Sequence, residues 1–97
     1  MNYDKLYTVK HKNNTQAAIE LCSNQHPIFK AHFTFQPILP GFIHFEIVAD
    51  LFGVEITSIK KAKFTTRISP RQTLEYEKKG DKFSVTSEGK LVASFTL

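Results

Sequence analysis

The segment Phe42–Phe52 constrains the fold most: it is eleven residues with no helix breaker, ending at Gly53. Glycine accepts the left-handed backbone that closes a helix, so Gly53 is a natural stop. Apolar side chains occur on every face of the predicted helix, which therefore has to be nearly surrounded by protein. After Gly53 the chain reads as strands: Val54–Ile68, Thr73–Lys78, Phe83–Ser87 and Leu91–Leu97. Ser69-Pro70-Arg71-Gln72, Lys79-Gly80-Asp81 and Glu88-Gly89-Lys90 supply the turns between them. Two more short strands precede the helix, at residues 5–10 and 16–22, with Lys12-Asn13-Asn14 as a polar turn. A single hydrophobic helix needs a sheet curved around it, so the predicted class is α+β.

Between the second strand and the helix lies a stretch dense in proline and aromatic residues, His26–Gly41. Pro27, Pro37 and Pro40 forbid a helix there, and its hydrophobicity argues against a solvated loop. The expectation is an ordered, buried, irregular segment, a common place for function.

A chain of 97 residues is one small domain, 1–97, with no room for a second. Such a chain buries only roughly two-thirds of its unfolded surface. Yet it carries nine Phe and three Tyr, more large apolar side chains than a thin core hides, which points to oligomerisation. The net charge of +4 favours an acidic partner but is too small to argue for nucleic acid. A single cysteine, Cys22, excludes an internal disulfide and suits a reducing compartment. Met1–Lys10 lacks the apolar run of a signal peptide, and no stretch approaches the ~20 apolar residues of a membrane span. The expected location is the cytoplasm.

Three features can carry chemistry. Glu46 lies mid-helix between Phe45 and Ile47. A buried carboxylate with no cation beside it has a raised pKa and suits a general acid; the alternative is a Glu46 that faces solvent or pairs with a lysine. His32 stands between Ala31 and Phe33, where an imidazole is either a proton-transfer group or a hydrogen-bonded structural residue. The helix opens at Pro40-Gly41-Phe42 with no Ser, Thr, Asp or Asn to cap it. Its first N–H groups are thus open to an oxygen that gains charge during reaction, or else to water or a loop carbonyl.

These features converge. The run from Phe29 to Gly41, followed by Glu46, resembles the hot-dog-fold 3-hydroxyacyl-acyl-carrier-protein dehydratases of fatty acid synthesis. That family's motif is approximately Gly-His-Phe-Pro-Gly-x-Pro-φ-φ-Pro-Gly, with a helical Glu or Asp after it. Here His32 and Glu46 are fourteen residues apart, as in the family, with Pro37, Pro40 and Gly41 in register. Ile59–Phe64 and Ile68-Ser69-Pro70 extend the resemblance, which covers roughly residues 24–97. It implies a hot-dog domain, in which a curved antiparallel sheet wraps one long helix, acting without metal or cofactor. It also implies that His32 takes the C2 proton, Glu46 protonates the departing 3-hydroxyl, and the Gly41 N–H donates to the thioester carbonyl. The family builds each site from two subunits, which implies a homodimer, with higher assembly open. Phe29, Phe35, Phe45 and Phe64 are the expected lining of the acyl tunnel.

The sequence also departs from the pattern. Ala31 replaces the usual Gly, Thr34-Phe35 replaces Pro-Gly, and Asp50 stands where many members have Gln. Asp50 is one turn after Glu46; if both are buried, each raises the pKa of the other, and otherwise Asp50 is solvated near the helix end. The departures fit either a specialised dehydratase, as in lipid or polyene assembly, or lost activity. Lys60, Lys61, Lys63, Arg67 and Arg71 form the densest basic stretch, read as a solvated strand face or as a docking patch for an acidic acyl carrier protein. His44 is expected to face the dimer seam or the site, His26 to shape its loop, and His11 to be solvated. The leading reading is dehydration of a 3-hydroxyacyl thioester, on acyl carrier protein or coenzyme A, to the trans-2-enoyl thioester. The competing classes are a thioesterase, in which Glu46 activates water, and a non-catalytic acyl-thioester-binding protein.

Overall fold

The computed structural model describes residues 5–23, 26, 28, 29 and 39–97. In chain order the elements are β1 (Tyr7–Lys12), β2 (Gln16–Leu21), α1 (Ile43–Phe52), β3 (Lys61–Phe64), β4 (Thr73–Lys79), β5 (Lys82–Ser87) and β6 (Lys90–Thr96). The strands form one six-stranded sheet in the order β1-β2-β4-β5-β6-β3, antiparallel at every pairing.

Local chemistry accounts for the connections. Asn13 Oδ1 accepts the backbone N–H groups of Thr15 and Gln16, at 2.9 and 2.8 Å, and closes the β1–β2 turn. Glu88 and Gly89 both have positive φ, 54° and 78°, as a two-residue hairpin turn of matching twist requires. Along β4 and β5, buried and exposed residues alternate, so one face of the sheet is apolar and the other polar.

Helix α1 presses against the apolar face. Ile43, Ile47, Val48 and Leu51 lie along one stripe and join Ile19, Leu74, Val85, Val92 and Phe95 in a single buried cluster. The helix ends at Gly53, whose φ of 64° is left-handed. The expectation that protein would surround the helix is not met in the single chain. Phe42, Glu46 and Asp50, spaced i, i+4, i+8, form an exposed stripe, with Phe42 49% exposed. One sheet covers only the face turned toward it, and the opposite face stays open.

The long strand expected over Val54–Ile68 is also corrected: only Lys61–Phe64 pairs, with β6. All four of its residues are exposed, so no buried face rewards a longer strand at this sheet edge. Beyond it, the Ile68 carbonyl accepts the Leu39 N–H at 2.7 Å, which ties the chain to the segment entering the helix. Of the proline-rich segment, the described His26, Ile28, Phe29, Leu39 and Pro40 are buried, and the remainder up to Gly41 lies outside the described residues. Among the described residues, no helix is long and apolar enough to cross a membrane.

Ile19 of β2 faces Leu74 of β4 in register, and both are fully buried. We expect Ile19→Ala to cost about 2–5 kcal/mol, read as a lower urea midpoint at unchanged slope. A loss below about 1 kcal/mol would contradict this placement of the core.

Candidate functional site

Backbone bonds hold the first turn of α1. Ile43 N–H donates to the Pro40 carbonyl, His44 to Gly41 and Phe45 to Phe42, at 3.1, 3.1 and 3.2 Å. No side chain caps the helix, as expected from the sequence. The Phe64 ring of β3 lies over Gly41 so closely that a β-carbon there would meet three ring atoms at 3.1 Å. Glycine is therefore what lets the sheet edge close over the helix start.

Glu46 and Asp50 sit one turn apart on the open stripe. Both line a cavity of about 590 Å³, with Lys5, Leu6, Tyr7, Ile47 and Ala49 completing its wall. Glu46 is exposed, so of the two alternatives left open by the sequence the single chain takes the solvent-facing one. Asp50 is exposed too, but it is not simply solvated: the Tyr7 hydroxyl donates to its Oδ2. Burial first, then the hydrogen bond and the charge of Asp50, push the Tyr7 phenol well above its ordinary value.

The other expected residues are distributed as follows. His32 and Phe35 lie outside the described residues. Phe29 is fully buried in the core. Phe45 packs edge-on against Phe64 and Phe95, with ring centres 6.2 and 5.0 Å apart. Gly41, Phe64 and Arg67 share a smaller cavity, about 240 Å³, at the helix start. The structure thus gathers the sequence-predicted residues into two groups, Glu46 with Asp50 and Gly41 with Phe64. Neither Phe29, Phe45 nor Phe64 lines the Glu46 cavity.

The basic residues divide likewise. Lys61 and Lys63, with Lys82, line a groove of about 520 Å³ across β3, β6 and β5. Lys60 and Arg67 are exposed on either side of β3. Arg71 is elsewhere: its N–H donates to the Cys22 carbonyl at 2.9 Å, on the β2 side of the sheet, with β4, β5 and β6 between it and β3. Among the described residues, no three His, Cys, Asp or Glu side chains cluster as a metal site would require.

His44 stands away from the Glu46 cavity but lines the smaller cavity at the helix start, with Gly41 and Phe64. Two residues before Glu46 on a helix is roughly the opposite side, and His44 is 1% exposed. It hydrogen-bonds the Tyr76 hydroxyl at 2.8 Å and stacks on Phe64, ring centres 6.0 Å apart. Burial lowers its pKa to about 4, so it is neutral near pH 7. His26 shapes its loop as expected, its Nδ1 accepting the Ile28 N–H at 3.0 Å, and His11 is exposed. Sequence reasoning missed Tyr7 and Tyr76. Their partners are 43 and 32 residues away, beyond the reach of any local pattern.

Comparison with known proteins adds the following. The family model described as ApeI-like, ApeI dehydratase, matches residues 8–96. A comparison with curated proteins finds no match. Among solved structures, the dehydratase heterocomplex ApeI:P from Xenorhabdus doucetiae superimposes with a TM-score of 0.70. The identity is 21%, over 92% of this chain and 93% of the other. An uncharacterized protein from Erwinia carotovora subsp. atroseptica reaches 0.61 at 26% identity, over 90% and 85%. A variant of the phenylacetic acid degradation protein PaaI from Thermus thermophilus reaches 0.54 at 16% identity, over 97% and 92%. These likenesses show the fold: the six-stranded antiparallel sheet packed on the long helix α1 is the hot-dog fold.

Neutral burial of His44 gives a test in solution. The unfolded chain binds the proton near pH 6.5 and the folded chain only near pH 4, so acid favours unfolding. This contribution to stability is complete above about pH 6.5 and falls by about 3 kcal/mol as the pH drops to 4. Urea midpoints measured across that range should fall more steeply for the wild type than for His44→Gln. Equal slopes would refute the assignment.

Proposed function

The chain belongs to the ApeI-like dehydratase family, and on that premise we propose that it converts a 3-hydroxyacyl thioester to the trans-2-enoyl thioester. The observation that carries this reading is Glu46, which opens into a cavity of about 590 Å³ from the exposed stripe of the only long helix among the described residues. A carboxyl group so placed can meet a substrate hydroxyl.

In this reading His32 removes the C2 proton as the C2–C3 double bond forms. Glu46 gives its proton to the 3-oxygen as the C3–O bond breaks, and water leaves. A proton next to a thioester is only weakly acidic, so its removal needs a donor to the carbonyl oxygen that gains charge. The Gly41 N–H, at a helix start without a side-chain cap, is our candidate for that donor. Hydroxide is a poor leaving group, which is why the reaction needs an acid as well as a base.

The exposed stripe Phe42–Glu46–Asp50 supports a second subunit, because it leaves one face of the long helix, with the proposed acid on it, uncovered by the sheet. We propose that this subunit is a second hot-dog chain, a copy of this one in the simplest case, and that the site is shared between the two. The solved relative described as a dehydratase heterocomplex makes a different hot-dog partner the alternative. The substrate carrier in our reading is acyl carrier protein or coenzyme A, attracted by Lys61 and Lys63, and the compartment is the cytoplasm.

The test follows the enoyl-thioester absorbance with a short trans-2-enoyl thioester, run in the hydration direction. The wild type should hydrate it, while Glu46→Gln and His32→Ala should each lose about 10²–10⁴-fold in kcat. Release of free thiol would move the protein to the thioesterase class. Absence of any absorbance change, with acyl-carrier-protein substrates as well, would leave a binding protein.

A further inference from the structure

The two carboxylates of the cavity are chemically alike but not equally engaged. Asp50 accepts the Tyr7 hydroxyl. Among the described residues, no hydrogen bond or ion pair involves the Glu46 side chain. Both stand on one helix face, one turn apart, and both line the same wall. A substrate hydroxyl entering the cavity therefore meets one open carboxyl group and one that is already anchored to β1 through its Oδ2.

Tyr7 is placed to do this by rigid structure. The residue before it, Leu6, is 1% exposed and belongs to the core. The Leu6 carbonyl accepts the Cys22 N–H at 2.8 Å, and Tyr7 lies in register with Leu21 of β2. Just upstream, Lys5 has a φ of 64°, a left-handed backbone that is uncommon for a residue other than glycine. Burial and the neighbouring carboxylate keep the phenol protonated. It therefore remains a donor throughout the range in which enzymes work.

We propose that Tyr7 is a positioning residue that anchors the Asp50 carboxylate against β1 and so leaves Glu46 as the carboxyl group that meets the substrate hydroxyl. The proposal rests on the reading of Glu46 as the acid. Without the Tyr7 hydroxyl, the freed Asp50 carboxylate accepts a hydrogen bond from the substrate's 3-hydroxyl. The hydroxyl then donates to Asp50 instead of receiving a proton from Glu46, and the substrate is bound unproductively. Unproductive binding has a distinct kinetic signature: kcat and KM fall together and kcat/KM is preserved. A merely structural loss, which loosens β1 from the helix, lowers kcat/KM instead.

The experiment compares the wild type, Tyr7→Phe, Asp50→Asn and the double variant, using a 3-hydroxyacyl pantetheine thioester and following the gain of enoyl absorbance. Thermal melts check that each variant is folded. In Tyr7→Phe, kcat and KM should both drop about tenfold, the strength of one hydrogen bond to a charged acceptor. Adding Asp50→Asn should bring both constants back toward those of Asp50→Asn alone, since the competing carboxylate is gone. A fall in kcat/KM that Asp50→Asn does not rescue would overturn the proposal, as would unchanged constants in Tyr7→Phe. Calorimetric titration makes the result independent of turnover. Tyr7→Phe should gain about tenfold in preference for the 3-hydroxyacyl over the 3-deoxyacyl pantetheine. If the wild type turns over no hydroxyacyl thioester, the proposed function fails by itself. An unchanged preference in calorimetry overturns the role of Tyr7 whatever the activity.

Discussion

Burial of one stripe of α1 against the sheet is the constraint on which the rest depends. Ile43, Ile47, Val48 and Leu51 leave water only because the strands present Ile19, Leu74, Val85 and Val92 to them. The fixed period of the helix then decides the opposite side. Once those four positions point inward, Phe42, Glu46 and Asp50 have to point outward. The Glu46 carboxyl group is thus aimed by the apolar residues between which it stands, and its exposure follows from their burial.

The same packing sorts the polar groups by solvation. His44, on the inward side, is held neutral by burial and matched to the Tyr76 hydroxyl. Tyr76 is itself pushed far above its ordinary value, by burial first and by the Tyr7 phenol second. These groups act as satisfied hydrogen-bond partners inside an apolar interior and do not exchange protons near neutral pH. Glu46 and Asp50, on the outward side, keep access to a cavity and to a proton donor. One helix thereby carries two kinds of titratable residue, and the direction of the side chain separates their roles.

Much of the architecture was legible in the chain. The helix ends at Gly53 as expected, and the hairpin turns fall at Gly80 and Gly89, where glycine with positive φ suits tight turns. The strand count and the class follow from the same punctuation. The expected length of the strand after the helix failed for a physical reason. Val54–Ile68 reads as a long strand by composition, yet pairing lasts only over Lys61–Phe64, because an edge strand with no buried face gains little by lengthening. For Glu46 the sequence left burial and exposure open, and the structure exposes it, because the residues that flank it in the chain point in other directions on a helix. His32 and Phe35 lie outside the described residues, so the His side of the site rests on its motif alone.

The sequence by itself determined the elements, their order and the His-to-Glu spacing, because these depend on local propensity, turn chemistry and motif. Only the tertiary structure decided which side chains meet. It joined Tyr7 to Asp50 and His44 to Tyr76, laid Phe64 over Gly41, and separated Arg71 from the lysines of β3. Each of those relations spans elements that are distant in the chain. Pairing order and register set them, and both are outcomes of packing the sheet against one helix, which no local pattern encodes.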